Sequence, residues 1–149
     1  MTAETVSDYR IVGLPNVRIV LASASRTRRR LLEDAGVPHI VEPSRVDEDE
    51  IKLSLRAEGA SSTALAEVLA EAKATYVSRK HPDAMVLGAD QILVCEGETF
   101  DKPADREDAL RQLKSLRGKR HDLISYAVIA RAGQRIWQGV DTARLQIRA

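Results

Sequence analysis

The chain has 149 residues, a formal net charge of +1 and 44% hydrophobic residues, which fits one globular domain with a core. The small net charge provides no overall attraction to nucleic acid or to a membrane surface, and aromatic residues at 3% argue against base-stacking platforms. No apolar run approaches the ~20 residues of a membrane span. Cys95 is the only cysteine, so no intrachain disulfide can form, and we expect a cytoplasmic location.

The first chemical signal follows a short N-terminal tail, which we assign to residues 1–16. Val17 to Ala22 reads as a buried strand that leads through Ser23-Ala24-Ser25 into an arginine-rich helix closed by Gly36. Serines at such a loop can cap the helix, and the helix N-terminus attracts anions. The spacing is not that of a P-loop, so this segment predicts an anion site of another kind.

The arginines of this helix, residues 26–30, have a second interpretation. Clusters of arginine are often solvated helix faces, or patches that bind nucleic acid. The strand–loop–helix context favours a role in the anion site for Arg28 and Arg29, whereas Arg30 fits the surface.

Four consecutive carboxylates, residues 47–50, follow a second short strand at His39 to Val41. Such a run usually belongs to a solvated loop, although it can lend one or two oxygens to Mg²⁺.

We expect residues 54–60 to be loop. A helix then begins at Ser61 or Ser62, and the apolar spacing leaves Lys73 beside its buried stripe. By periodicity alone Lys73 is a surface lysine, but it can also reach a cleft.

The segment Ala84 to Pro103 holds the next group of candidate residues. Asp90 lies between two apolar runs, and Glu96-Gly97 reads as a turn that brings the chain back towards Lys102. A two-residue turn would pair Lys102 with Gln91, and a three-residue turn would pair it with Ile92. Either register predicts an ammonium within one or two strand positions of the Asp90 carboxylate, although a solvated surface ion pair is the alternative.

The remaining elements are a helix and two strands. Asp105 is the expected N-cap of a helix that runs to Leu116 and buries its leucines, and Gly118 ends it. Residues 120–130 and 134–147 read as long strands joined by a turn at Ala132-Gly133. The alternation of strands and helices, followed by a hairpin, predicts an α/β fold with a mixed sheet.

Four motifs in this order resemble the Maf family of nucleoside triphosphate pyrophosphatases. They read LASASRTRRRLLEDAG, VDED, AEAKA and GADQ…DKP, and the resemblance extends from Val17 to the end, giving one domain over residues 17–149. It implies a fold like that of inosine-triphosphate pyrophosphatase, with helices flanking the sheet and a cleft. It also implies cleavage between the α and β phosphates, giving the monophosphate and pyrophosphate, with Mg²⁺ as cofactor and a nucleotide as partner.

The resemblance also assigns residues to the site. Asp90 matches the catalytic acidic residue, which could orient or deprotonate the attacking water or hold the metal, and Asp47, Glu48 and Asp90 are the expected metal ligands. Positions that match phosphate- or site-lining residues are Ser23, Arg28, Lys73 and Lys102.

Two positions bear on the substrate. Gln91 follows the catalytic aspartate, as in members that resemble the 7-methyl-GTP subgroup, whereas the dTTP/UTP type has threonine there. Thr27 stands where that second type has the first arginine of a pair. We therefore expect 7-methyl-GTP or another modified purine nucleotide. The family pattern also has proline at the position of Arg26 and glycine at that of Asp101, and neither change should abolish the chemistry.

Family members continue past the last predicted strand, so we expect this chain to lack the family's C-terminal part. Ile136, Val140 and Leu145 would then be uncovered, which favours self-association, with a homodimer as one form, and weak activity. The alternative function is a non-catalytic regulator that binds nucleotide or nucleic acid and is linked to septum formation. An enzyme should gather its charges at one cleft, whereas a regulator would spread its arginines over an open face.

Overall fold

The computed structural model describes residues 17–149, so the predicted tail at residues 1–16 lies outside the described residues. The helices and strands, in chain order, are β1 Arg18–Leu21, α1 Arg26–Asp34, β2 Ile40–Val41, α2 Glu48–Ala57, α3 Ser62–Ser78, β3 Ala84–Cys95, β4 Glu98–Phe100, α4 Arg106–Leu116, β5 Arg120–Arg131 and β6 Gln134–Gln146.

The strands form a six-stranded sheet in the order β2-β1-β3-β5-β6, with β4 paired to β3. β1 runs parallel to β2 and β3, whereas the pairs β3–β4, β3–β5 and β5–β6 are antiparallel. The predicted mixed sheet with flanking helices is therefore confirmed. Within residues 17–149, no helix is long and apolar enough to cross a membrane.

The core lies where α3 packs against one face of β3 and β5. Its buried residues alternate along both strands, as the two-residue period of a strand requires. The closest approach is at Gly88, where a Cβ atom would lie 2.7 Å from the backbone nitrogen of Ala74. Only glycine allows α3 to lie this close to β3. This packing fixes the positions of the side chains at the contact between the two elements.

The prediction of a loop over the acidic run and residues 54–60 is wrong, because α2 occupies most of this segment. Asp47 caps the helix by accepting a hydrogen bond from the Glu50 backbone nitrogen at 3.0 Å. Carboxylates in a first turn are stabilised by the helix dipole, so a run of acids can start a helix. Ile51 and Leu55, four residues apart, then pack against the core.

The turn after β3 has two residues, as the pairing of Cys95 with Glu98 shows. The ladder ends at the Leu93–Phe100 pair, so the predicted pairing of Lys102 with β3 does not form. Asp90 also lies inside one continuous strand of 12 residues and not between two strands. The antiparallel partner β5 accompanies β3 along most of its length, which explains why the strand is not interrupted.

The helix α4 begins and ends as predicted, with Asp105 as its N-cap. Its leucines are mostly not buried, contrary to our expectation, since Leu110 and Leu113 are exposed and only Leu116 reaches the core. β6 pairs only with β5 in the described part of the chain. Ile136, Val140 and Leu145 are exposed there, as predicted.

Candidate active site

Residues from the helices α1, α2 and α3 and from the strands β3, β5 and β6 line a cavity of about 1200 Å³. This volume is large enough for a nucleotide-sized ligand. Its lining includes most of the predicted site residues, namely Thr27, Arg28, Glu48, Lys73, Asp90, Gln91 and Lys102.

One end of the cavity is the loop between β1 and α1. Ser25 caps α1 by accepting a hydrogen bond from the Arg28 backbone nitrogen at 3.3 Å. The Arg28 guanidinium donates to the hydroxyl of the buried Ser23 at 3.2 Å. A helix N-terminus, two hydroxyls and a guanidinium thus meet in one place, and this arrangement suits a phosphate group.

The other arginines of α1 point elsewhere. Arg29 forms an ion pair with Glu33 and Arg30 with Asp34, each along the exposed face of the helix. The expectation that Arg29 joins Arg28 in the anion site is therefore wrong, whereas Arg30 is a surface residue as expected.

The centre of the site is a buried ion pair between Lys73 of α3 and Asp90 of β3. The two residues are 8% and 9% exposed, and the Lys73 Nζ lies 3.0 Å from the Asp90 Oδ1. The same nitrogen lies 2.7 Å from Glu48 of α2 and donates to the Ala89 carbonyl at 3.4 Å. Lys73 is thus not the surface lysine that periodicity alone suggested.

The environment of Asp90 raises the pKa of its carboxyl group above the ordinary aspartate value. Burial is the largest cause, because removal from water disfavours the charged form. The nearby Lys73 opposes this effect and Glu48 adds to it. A carboxylate with a raised pKa is a better proton acceptor than an exposed one, which is a property of catalytic bases.

Lys102 follows β4, is exposed, and lines the cavity. The ammonium that pairs with Asp90 belongs to Lys73 and not to Lys102. The neighbouring Asp101 accepts a hydrogen bond from Lys52 of α2 at 2.8 Å. This contact fixes the segment that carries Lys102 against α2.

The polar face of α2 was not predicted from the sequence. Glu48, Lys52 and Arg56 are spaced by four residues, lie on one side of the helix, and all line the cavity. Arg56 donates to the Thr99 hydroxyl at 3.0 Å, and Glu48 contacts Lys73. The spacing was visible in the sequence, but its meaning depended on recognising the segment as a helix.

The two predicted specificity residues lie at different places. Gln91 is exposed on the open face of the sheet, and its amide nitrogen donates to the Ser125 hydroxyl of β5 at 3.0 Å. Thr27 is exposed on the first turn of α1, beside Arg28. Gln91 thus lines the cavity from the sheet, and Thr27 lies near the phosphate-suited end.

The three expected metal ligands are not gathered together. Glu48 and Asp90 both contact the Lys73 ammonium, so they lie on the same side of the cavity. Asp47 is exposed and its carboxylate caps α2. Within residues 17–149, no group of three or more acidic, histidine or cysteine residues is arranged to hold a metal ion.

The distribution of charges distinguishes the two functions that the sequence left open. Arg28, Lys73, Lys102 and Asp90 all line the same cavity, as expected for an enzyme. Arg29 and Arg30, which face solvent on α1, are paired with acids of the same helix. A binding regulator with an open arginine face is therefore not favoured.

Comparisons with known proteins show the family to which this chain is similar. A family model described as Maf-like protein matches residues 18–149. A nucleoside triphosphate pyrophosphatase of Ruegeria sp. (strain TM1040) is 51% identical over 133 residues, which are 89% of this chain and 67% of that protein. A 7-methyl-GTP pyrophosphatase of Brucella abortus biovar 1 (strain 9-941) is 42% identical over 132 residues, 89% of this chain and 66% of that protein.

Among solved structures, a HAM1 protein from Coxiella burnetii aligns over 86% of this chain and 70% of that chain, with 14% identity and a TM-score of 0.48. The chain spans about two thirds of the length of the curated relatives it matches.

The raised pKa of Asp90 predicts how stability depends on pH. Since the folded pKa exceeds the unfolded one, folding favours the protonated form, and this stabilisation is lost as pH rises through the folded pKa. Asp90→Asn, which cannot ionise, should therefore gain unfolding free energy relative to the wild type as pH rises above the ordinary aspartate pKa of about 4. Urea titrations in metal-free buffer measure this difference.

Asp83→Asn is the matched control, because Asp83 is an exposed aspartate just before the same strand. Its difference from the wild type measures what the loss of a surface carboxylate does to the unfolding free energy under the same conditions. A variant at position 90 that loses stability relative to the wild type as pH rises would contradict the role of burial at Asp90.

Proposed function

Because the chain belongs to the Maf-like protein family, we propose that it hydrolyses a nucleoside triphosphate to the monophosphate and pyrophosphate. The observation that carries the proposal is the buried Lys73–Asp90 pair, which opens on a nucleotide-sized cavity with an anion site at one end. The relatives named nucleoside triphosphate pyrophosphatase support the same reaction.

Phosphoanhydride cleavage needs a positioned water and neutralisation of several phosphate oxygens. Arg28, with the Ser23 hydroxyl and the N-terminus of α1, would bind one part of the triphosphate. Lys102, which is exposed and also lines the cavity, would bind another part. Lys73 partly neutralises the carboxylates of Glu48 and Asp90 at the centre of the site.

Asp90 would act on the attacking water. Its Oδ1 accepts the hydrogen bond from Lys73, and no hydrogen bond from residues 17–149 reaches its Oδ2. This second oxygen would orient the water and take its proton as the water oxygen bonds to the α-phosphorus. The bond from that phosphorus to the bridging oxygen then breaks, and pyrophosphate leaves.

The charges of the cavity favour a divalent metal as cofactor. Its lining balances five cations, Arg28, Lys52, Arg56, Lys73 and Lys102, against five carboxylates, Glu48, Asp49, Asp90, Asp101 and Asp141. A triphosphate therefore meets no net positive charge. Mg²⁺ binds through one or two carboxylates together with phosphate oxygens, so Glu48 and Asp90 suit it, and when bound it would neutralise the phosphate oxygens.

We further propose a purine nucleotide with a modified base as the substrate, with 7-methyl-GTP as the single best candidate. Gln91 supports this choice, since its amide presents both a donor and an acceptor to a base edge. Thr27 is too short to reproduce an arginine contact. The name of the Brucella abortus relative is consistent with this substrate.

The Asp90→Asn variant tests the reaction. It should lose at least about a hundredfold of kcat, since a general base contributes roughly 10²–10⁴-fold. Pyrophosphate release with Mg²⁺ measures this loss, and circular dichroism verifies that the variant is folded. Asp83→Asn should keep wild-type kcat. Near wild-type turnover by the Asp90→Asn variant would remove Asp90 from the mechanism.

A nucleotide panel tests the substrate. We expect the chain to hydrolyse 7-methyl-GTP with a higher kcat/KM than GTP, dTTP or UTP. A Gln91→Thr substitution should reduce the preference for 7-methyl-GTP, because threonine cannot present both hydrogen-bonding groups at the same reach. The preferred substrate would be wrong if dTTP or UTP had the highest kcat/KM.

A further inference from the structure

Trp137 of β6 lies on the cavity wall, away from the anion site. It is the only tryptophan of the chain, is 52% exposed, and has no part in the reaction proposed above. The sheet order places β3 and β5 between β1, which leads into the anion site, and β6. A ligand whose phosphates lie at Arg28 would therefore extend over the sheet towards Trp137.

The indole ring is held in place by Gly139, two residues further along β6. A Cβ atom at position 139 would lie 2.6 Å from the Cη2 and 3.0 Å from the Cζ2 of Trp137. The ring thus rests on backbone that only glycine leaves uncovered. No left-handed conformation requires this glycine, so close contact with the ring is its structural role.

The floor beside the ring is flat. Ala89 of β3 and Ala127 of β5 lie across from each other, and Gly139 of β6, which the indole covers, ends this row. Neighbouring strands are about 4.8 Å apart, so the small residues extend about 10 Å from the covered glycine to Ala89. Gln91 and its partner Ser125 form the next row on the same face. A planar ring has room between this amide and the indole.

We propose that Trp137 is a specificity residue that stacks on the purine base of the substrate, with Gln91 at the base edge. The proposal rests on the proposed function for the position of the phosphates. Aromatic side chains stack on bases, and tryptophan is the strongest aromatic partner of a cation. A 7-methylated guanine carries a positive charge on its ring, so it should stack on Trp137 more tightly than guanine.

The competing interpretation is that Trp137 is a solvent-exposed residue of an edge strand, since single exposed apolar residues are common. Ile136 is the matched comparison, because it is equally exposed, at 52%, and adjacent on the same strand. Trp137 lines the cavity and Ile136 does not. Only the tryptophan combines a fixed ring position with a flat floor beside it.

The single tryptophan makes a direct test simple. Intrinsic fluorescence is titrated with 7-methyl-GMP, GMP and UMP in buffer with EDTA, so that neither turnover nor metal is involved. Stacking should quench the fluorescence most with 7-methyl-GMP, less with GMP and least with UMP. Gly139→Ala keeps the tryptophan but displaces its ring, so it should weaken the quenching.

Substitutions of Trp137 are measured by equilibrium dialysis against labelled 7-methyl-GMP. Trp137→Ala should raise its Kd at least about fivefold, given the usual strength of base stacking, and Trp137→Phe should restore part of the affinity. Ile136→Ala should leave Kd unchanged. Circular dichroism and melting temperature verify that each variant is folded.

Two results would overturn the inference. One is that nucleotide binds the wild type without quenching, and the other is that Trp137→Ala binds 7-methyl-GMP as tightly as the wild type does. If pyrophosphate is released but fluorescence does not change, the inference fails and the proposed function stands. If nucleotides quench but none is hydrolysed, the stacking stands and the proposed function fails.

Discussion

The close packing of α3 on β3 is the constraint on which the site depends. Gly88 lets the helix approach the strand, and this approach brings Lys73 within 3.0 Å of Asp90 in a place with little access to water. A buried charge pair of this kind gains little for stability, because desolvation offsets the attraction. The raised pKa of Asp90 shows that burial outweighs its partner. The low stabilising value of the pair is consistent with the catalytic role that we propose for Asp90.

Different helices, strands and loops contribute different chemical groups to the cavity. In the proposed function, the loop before α1 would offer hydroxyls and Arg28 to phosphate, the α3–β3 contact would hold the reactive carboxylate, and the open face of the sheet would offer Gln91 to a base. α2 connects two of these parts, since Glu48 contacts Lys73 and Lys52 contacts Asp101. Its polar face bridges the centre of the site and the segment that carries Lys102.

The sequence was sufficient to predict the helices and strands that a local residue pattern determines. The strand, serine loop and arginine helix, the helix α3 and the final hairpin were visible in apolar periodicity and turn residues. α2 was missed because its acidic first turn resembles a solvated loop until the dipole and the buried Ile51 are considered. The partner of Asp90 was not predictable from strand register, since Lys73 arrives from a helix through a packing contact. The position of Trp137 in the cavity wall was also not predictable, because it depends on the order of the strands in the sheet.

The central claim is that Asp90 directs a water at the α-phosphorus of a bound nucleotide. Hydrolysis of 7-methyl-GTP in water enriched with oxygen-18, followed by mass spectrometry of both products, tests it most directly. The account predicts one labelled oxygen in the monophosphate and none in the pyrophosphate. Label in pyrophosphate, or release of a diphosphate with labelled orthophosphate, would mean that water attacks another phosphorus and would contradict the site as described.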